Sequence, residues 1–312
     1  MEFKEKNFIS AVIYVHNAEK RIGTFLKTIL TVLEENFEMA EIICVNDHSE
    51  DNSVSVIRKV GKAACHTSIS VLNMSYFHGL ETAMNAGVDL SIGDFVLEFD
   101  STVLDFAPEE IMKIYRKSLE GYDIVSASPE GRQRLTSRLF YMLFQRCSSS
   151  FYQHMGTESF RVLSRRVINR VSSMNQSVPY RKAVYASCGL KTWNLRYKVQ
   201  NVRTDSDHKE RRYRRRLAVD SLILFTEAGY GFSMLMTGMM MLAAMFMLVY
   251  SLVIYLTQKP VEGWTTTILF LSFAFFGLFA ILTIIVKYLQ ILVNLVFKRK
   301  PYSFESIEKL TK

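Results

Sequence analysis

Residues 8–19 read FISAVIYVHNAE: an apolar, β-branched run that turns polar at its end. A run of that length and composition suits a buried strand. Residues 21–33 follow with Ile22, Phe25, Leu26, Ile29, Leu30 and Leu33 at helical spacing. Residues 41–45 give a second buried strand, ending in Asn46-Asp47-His48-Ser49. A helix over 52–61 comes next, with Gly61 as its stop. Residues 68–72 read as a strand, 80–90 as a helix, and 95–99 as a strand running into Asp100-Ser101-Thr102. Pro108 opens another helix, and 123–127 is a fifth strand. Strands alternating with helices at this spacing predict an α/β, Rossmann-like domain, with a mostly parallel sheet and helices on both faces.

Sheets of this kind bind ligands beyond the carboxyl ends of their strands. Asn17 and Glu19 follow the first strand, Asp47 the second and Asp100 the fourth. Three strands would thus deliver polar side chains to one rim. Turn and cap chemistry also favours Asn, Asp and Ser at such places, so any one of these positions has two readings.

The far end of the chain is different. Residues 232–256 and 265–286 carry no charge and are apolar throughout, with a short polar connector at 257–264. At about 1.5 Å per helical residue, each run can cross a hydrocarbon core of about 30 Å. A transmembrane hairpin is expected. Arginine and lysine crowd 208–216 before it and 298–300 after it, whereas the connector holds only Lys259 and Glu262. The positive-inside bias places both chain ends in the cytoplasm. The expected division is a cytoplasmic α/β domain at 1–203, basic interfacial helices at 204–231, the hairpin at 232–297 and a cytoplasmic tail at 298–312. A multi-pass protein of the cell (inner) membrane follows from it.

The net charge of +8 is concentrated beside the spans, which points to anionic membrane lipids. No zinc spacing or RNA-binding motif accompanies it, so no nucleic-acid partner is expected. Cys44, Cys65, Cys147 and Cys188 are scattered without a CxxC pair, as in a reducing compartment. The first residues, MEFKEK, lack the apolar stretch of a signal peptide. Between 132 and 151, four arginines interleave with Leu, Phe and Tyr. Two readings fit: an amphipathic helix on the membrane surface, or a helix packed on the domain with a solvated basic side. Residues 160–163 read as a short strand, 165–174 as a helix, 191–202 as extended chain and 217–225 as an interfacial helix. Gly238 and the methionine-rich stretch 234–247 suit helix packing between copies, so a homo-oligomer is expected through the membrane helices.

Taken in order, the rim motifs resemble those of family 2 glycosyltransferases, in the polyprenyl-phosphate branch that includes dolichol-phosphate mannose synthase. AVIYVHNAE at 11–19 is similar to the family's opening strand and its Tyr-Asn-Glu turn. VNDHSED at 45–51 resembles Val-Asp-Asp-Gly-Ser-x-Asp, and GLETAMNAG at 79–87 matches Gly-x-x-x-Ala-x-Asn-x-Gly. EFDSTVLD at 98–105 stands where the family carries Asp-x-Asp. GTESFRVLSRR at 156–166, then a basic stretch and two membrane helices, repeats the branch's layout.

That resemblance implies a GT-A type domain with a nucleotide sugar in the rim. Asn17 and Glu19 would line the nucleotide pocket, Asp47 would bond the base, and Gly79 and Asn85 would shape the floor. Asp100 would be catalytic, facing the diphosphate through Mg²⁺ or Mn²⁺ with Thr102 as a neutral second ligand. A hard cation is what lets a carboxylate approach a phosphate. Asp100-Ser101-Thr102 lacks the second acid of the motif; Glu98, on the same strand face, and Asp105 are the nearby substitutes. The family often has Asp directly before Phe-Arg. This chain has Ser159 there and Glu158 before it, which makes Glu158 the other catalytic candidate.

The activity so implied is inverting sugar transfer to undecaprenyl (polyprenyl) phosphate on the cytoplasmic face. A lipid phosphate is already ionised at neutral pH and needs no base, only positioning and cations. Arg161, Arg165, Arg212 and Tyr213 are the candidates to hold it. Two other readings stay open: the same fold acting on a lipid-linked saccharide or diacylglycerol hydroxyl, and a catalytically lapsed partner protein that binds nucleotide sugar or lipid.

Overall fold

The computed structural model describes residues 4–130, 158–173, 181–200 and 302–311, together with isolated positions between 235 and 292. Eight strands form one sheet: β1 Ile9–Val15, β2 Ala40–Asn46, β3 Thr67–Met74, β4 Phe95–Phe99, β5 Ile124–Glu130, β6 Phe160–Ser164, β7 Thr192–Lys198 and β8 Phe304–Lys309. Their spatial order is β7-β5-β6-β4-β1-β2-β3-β8. Strands β3, β2, β1 and β4 are parallel neighbours, as the alternating pattern predicts. Beyond β4 the sheet changes: β6 runs antiparallel to β4 and β5, while β7 is parallel to β5. The sheet is therefore mixed.

The helices are α1 Glu19–Asn36, α2 Ser53–Gly61, α3 Leu80–Leu90, α4 Glu109–Leu119, α5 Arg165–Ser173 and α6 Arg181–Ser187. The two faces of β1 divide at period two. Ile9, Ala11, Ile13 and Val15 join one core with Phe25, Leu26 and Ile29 of α1 and Ile111 and Ile114 of α4. Val12 and Tyr14 join a second core with Ala83, Met84 and Ala86 of α3. Gly87 explains how closely α3 lies on the sheet. A Cβ there would come within 2.5 Å of Val12 and 2.6 Å of Val45.

Residues 304–309, read in the sequence as tail, form β8 on the edge of β3. Their side chains are mostly exposed, and an edge strand needs no apolar pattern, so periodicity does not reveal it. Arg58 grips Glu308 with two nitrogens, at 3.0 and 2.8 Å from Oε2, and Tyr302 donates to Asp89 at 2.6 Å.

The expected interfacial segments at 132–151 and 204–231, with Arg212 and Tyr213, lie outside the described residues. Most of the hairpin at 232–297 does too, and among the described residues no helix is long and apolar enough to cross a membrane. Residues Asp220–Lys298 belong to a second compact unit, distinct from the sheet domain. Its described helical positions Leu271, Leu278, Leu282, Ile285, Leu289 and Leu292 are all exposed and recur at three-, four- and seven-residue steps.

Candidate active site

Two acids stand at the carboxyl edge of the sheet, Asp47 after β2 and Asp100 after β4, with β1 between them. At strand spacing that is about 10 Å across the sheet. Asp47 is fully buried. Its Oδ1 accepts the His78 N–H at 2.7 Å, and its Oδ2 accepts the Gly79 N–H at 2.8 Å and the Tyr14 hydroxyl at 3.0 Å. Gly79 precedes α3 with φ +85°, a conformation that only glycine adopts without strain. Asp47 thus fixes where α3 begins.

The loops after β1 and β2 are tied to each other. Asn17, at φ +46°, accepts the Glu50 N–H at 2.9 Å through Oδ1 and donates its own N–H to Ser49 Oγ at 3.1 Å. Glu19 accepts the Asn52 N–H at 3.3 Å. His16 packs its ring 4.7 Å from that of Phe77, at the same edge.

Asp100 is held by charge instead. Glu98 of β4 and Arg161 of β6 are register partners across the antiparallel pair, which brings the Arg161 guanidinium to the end of β4. Arg161 is fully buried, with Nη1 3.1 Å from Glu98 Oε2, Nη2 2.9 Å from Asp100 Oδ2 and Nε 3.4 Å from Glu158 Oε2. Arg181, at the start of α6, reaches Glu81 Oε2 at 3.0 Å, Glu98 Oε1 at 2.7 Å and Asp100 Oδ1 at 2.8 Å. Lys182 Nζ lies 3.8 Å from Asp100 Oδ2 and donates to the Glu158 carbonyl at 3.3 Å. Tyr185 donates to Glu98 at 2.9 Å. Because Glu81 lies in the first turn of the helix that Gly79 opens, Asp47, α3, Glu81, Arg181 and Asp100 form one continuous chain of contacts.

The electrostatics follow from this enclosure. Burial alone would push the Asp100 carboxyl upward. The charges of Arg161, Arg181 and Lys182 outweigh it and hold the group well below the usual carboxylate range. Burial would pull Arg161 down, but Asp100, Glu98 and Glu158 raise it, so it stays charged. Arg181 is likewise raised by Glu98, Glu81 and Asp100 against the pull of burial. Tyr185 is pushed up by burial and then by Glu98, and stays a proton donor. Glu98 Oε2 and Arg161 Nε and Nη1 lack an aligned hydrogen bond, so those contacts are ionic rather than directional.

A divalent cation does not fit the described residues as they stand. Both Asp100 oxygens are engaged by guanidinium groups, and Thr102 is buried. No group of three His, Cys, Asp or Glu that could hold a metal occurs among the described residues. Nor do the expected substitutes open a place. Glu98 is fully buried within the ion network, and buried Asp105 accepts the Tyr197 hydroxyl at 2.9 Å.

The structure brings Asp100, Glu158 and Arg161 together and puts Asn17, Glu19, Asp47 and Gly79 on the same edge. Asn85 is half-buried, one helical turn after Glu81 on α3. Arg165 is placed elsewhere, away from this cluster. Its guanidinium bonds the Gly93 carbonyl, with Nε at 2.8 Å, before β4 begins. Seven residues of extended chain, about 20 Å, separate that end of β4 from Asp100, so Arg165 does not join Arg161. Arg161 itself is enclosed by acids rather than presented to a ligand. Sequence reasoning missed Glu81, Arg181, Lys182 and Tyr185. Glu81 carried one signal, an acid in a helix whose neighbours Ala83 and Met84 are core; Arg181, Lys182 and Tyr185 carried none.

Residues 10–171 match the model of glycosyl transferase family 2. An uncharacterized glycosyltransferase of Synechocystis is 30% identical over 59% of this chain and 58% of its own length. The undecaprenyl-phosphate 4-deoxy-4-formamido-L-arabinose transferase of Edwardsiella ictaluri is 30% identical over 50% of this chain and 49% of its own. A prophage bactoprenol glucosyl transferase homolog of Escherichia coli is 30% identical over 64% and 66% respectively. The chain thus spans between about half and two thirds of the length of these relatives. The matched segment runs from β1 into α5 and takes in both acidic ends of the edge, and on that ground this chain, with its mixed α/β sheet, belongs to glycosyl transferase family 2.

Proposed function

We propose that this protein moves a sugar from a nucleotide-diphosphate donor to a polyprenyl phosphate, inverting the anomeric centre, at the cytoplasmic face of the cell membrane. The observation that carries the reading is the unbroken set of contacts from Asp47 through Gly79, Glu81 and Arg181 to Asp100. It joins the two acids of the family's nucleotide edge into one preorganised wall. The similar proteins of Edwardsiella and Escherichia, named for undecaprenyl phosphate and bactoprenol, supply the acceptor class.

The residues fit an acceptor that arrives already ionised. Asp100 is kept as a carboxylate by three cations, and Glu158 is engaged by Arg161. Asp100, held below the usual carboxylate range, is not poised to take a proton. Positioning and charge are what such a site supplies. The uncharged runs at 232–256 and 265–286, and the exposed apolar positions from Leu271 to Leu292, support a membrane hairpin. Basic residues at 208–216 and 298–300 support a cytoplasmic orientation.

The test is transfer of radiolabelled sugar from a panel of nucleotide sugars to undecaprenyl phosphate, read as organic-soluble label. Wild-type membranes are expected to make the product, and Asp100→Ala is expected to lose it. Label appearing on a lipid hydroxyl instead would replace the acceptor. Donor binding without turnover across the whole panel would leave only the lapsed partner protein.

A further inference from the structure

Asp100 stands where the motif leads one to expect a metal-binding acid, yet positive charge surrounds it. Arg181 lies 2.8 Å from one carboxylate oxygen; Arg161, at 2.9 Å, and Lys182, at 3.8 Å, meet the other. Buried Thr102 stands in place of the motif's second acid. Glu81 and Glu98 are committed to Arg181, and Glu98 to Tyr185 as well. A divalent cation on Asp100 would stand one carboxylate away from two guanidinium groups and an ammonium. Repulsion at that range is strong in a poorly solvated site, and an arginine cannot relieve it by losing a proton.

A diphosphate meets the opposite situation. Lys182 is the outermost of the three cations, its side chain 12% exposed against 0% for Arg161 and 2% for Arg181. It also makes the longest of the three ionic contacts to Asp100. A flexible ammonium held this loosely can turn to a phosphate oxygen while Arg181 keeps Asp100 neutralised. The depressed Asp100 carboxyl agrees with positive potential at this point of the edge.

We propose that the negative charge of the donor's diphosphate is met here by Lys182, backed by Arg181, in place of a divalent cation on Asp100. Asp100 is then the fixed counter-ion that holds these cations at the edge. The inference rests on the nucleotide-sugar reading above and deepens it.

The full chain in detergent would be titrated with UDP, GDP, CDP and dTDP by calorimetry, first in excess EDTA and then with Mn²⁺. Free Mn²⁺ would be followed by its EPR signal. One nucleotide is expected to bind in EDTA, with Mn²⁺ changing its Kd by less than about threefold and the protein leaving the Mn²⁺ signal intact. Lys182→Met should weaken that binding about tenfold, the loss of one charge-assisted hydrogen bond, and Lys182→Arg should restore most of it. Unchanged affinity in Lys182→Met overturns the proposal. So does binding that appears only with Mn²⁺, accompanied by loss of the free Mn²⁺ signal that Asp100→Asn abolishes, although the glycosyltransferase reading would survive. If no nucleotide binds under either condition, both fall.

Discussion

Asp47 and Asp100 occupy equivalent places, each just past the carboxyl end of a parallel strand, and they are held in opposite ways. Asp47 is satisfied by neutral donors: two backbone N–H groups and a phenol. Those donors come from the strand next to it and from the loop that opens α3. Asp100 is satisfied by cations from β6 and α6, 61 and 81 residues further along the chain. The difference separates a joint from a working surface. Backbone amides cannot leave without unmaking the turn, so Asp47 is a fixture of the fold. A lysine side chain can change partners, so the Asp100 cluster can answer an incoming anion without rearranging the sheet.

The contrast breaks first at Arg161. Replacing it with Met leaves buried Glu98 and Asp100 short of a counter-charge and should cost about 3–5 kcal/mol of stability. Urea unfolding of the full chain in detergent would measure it, and adding Glu98→Gln should recover part of the loss. Were Arg161→Met to cost less than Asp47→Asn, the buried acids of the cluster would not depend on Arg161 for their counter-charge. Asp47→Asn comes second, at about 1–3 kcal/mol, because an amide cannot accept on both sides where two N–H groups converge. Unlike Lys182→Met, this loss should show as a displaced start of α3, seen in the hydrogen exchange of the 78–83 amides.

Smallest in the accessible range is the pH dependence. The folded Asp100 carboxyl lies below its unfolded value of about 3.9. Its contribution is therefore complete above about pH 4 and fades as pH falls below that, toward the depressed folded value. Wild type should lose stability faster than Asp100→Asn on acidification below pH 4. Parallel profiles for the two would remove the charge argument at this acid.

The sequence makes the first half of the fold legible because each piece is local. Ile22, Phe25, Leu26, Ile29 and Leu33 are spaced for one helix face, and all are buried on the sheet. Gly79 marks a turn that its positive φ requires. β8 escaped notice because Phe304–Lys309 is an exposed edge, with no apolar alternation to betray it. The placing of Arg165 was illegible for the converse reason. Beside Arg161 in sequence it looked like a companion cation, but the antiparallel register of β6 carries the two to opposite ends of β4.

By itself the sequence determined the elements from β1 to β5, their α/β alternation, the acids that end β2 and β4, and the uncharged runs of the tail. Helical and strand periodicity and net charge are properties of neighbouring residues, so they can be read without coordinates. Only the tertiary structure decided what those acids touch. The partners of Asp100 arrive from β6 and α6 through strand register and helix packing, and no local pattern records that Arg161 and Arg181 converge on one carboxylate.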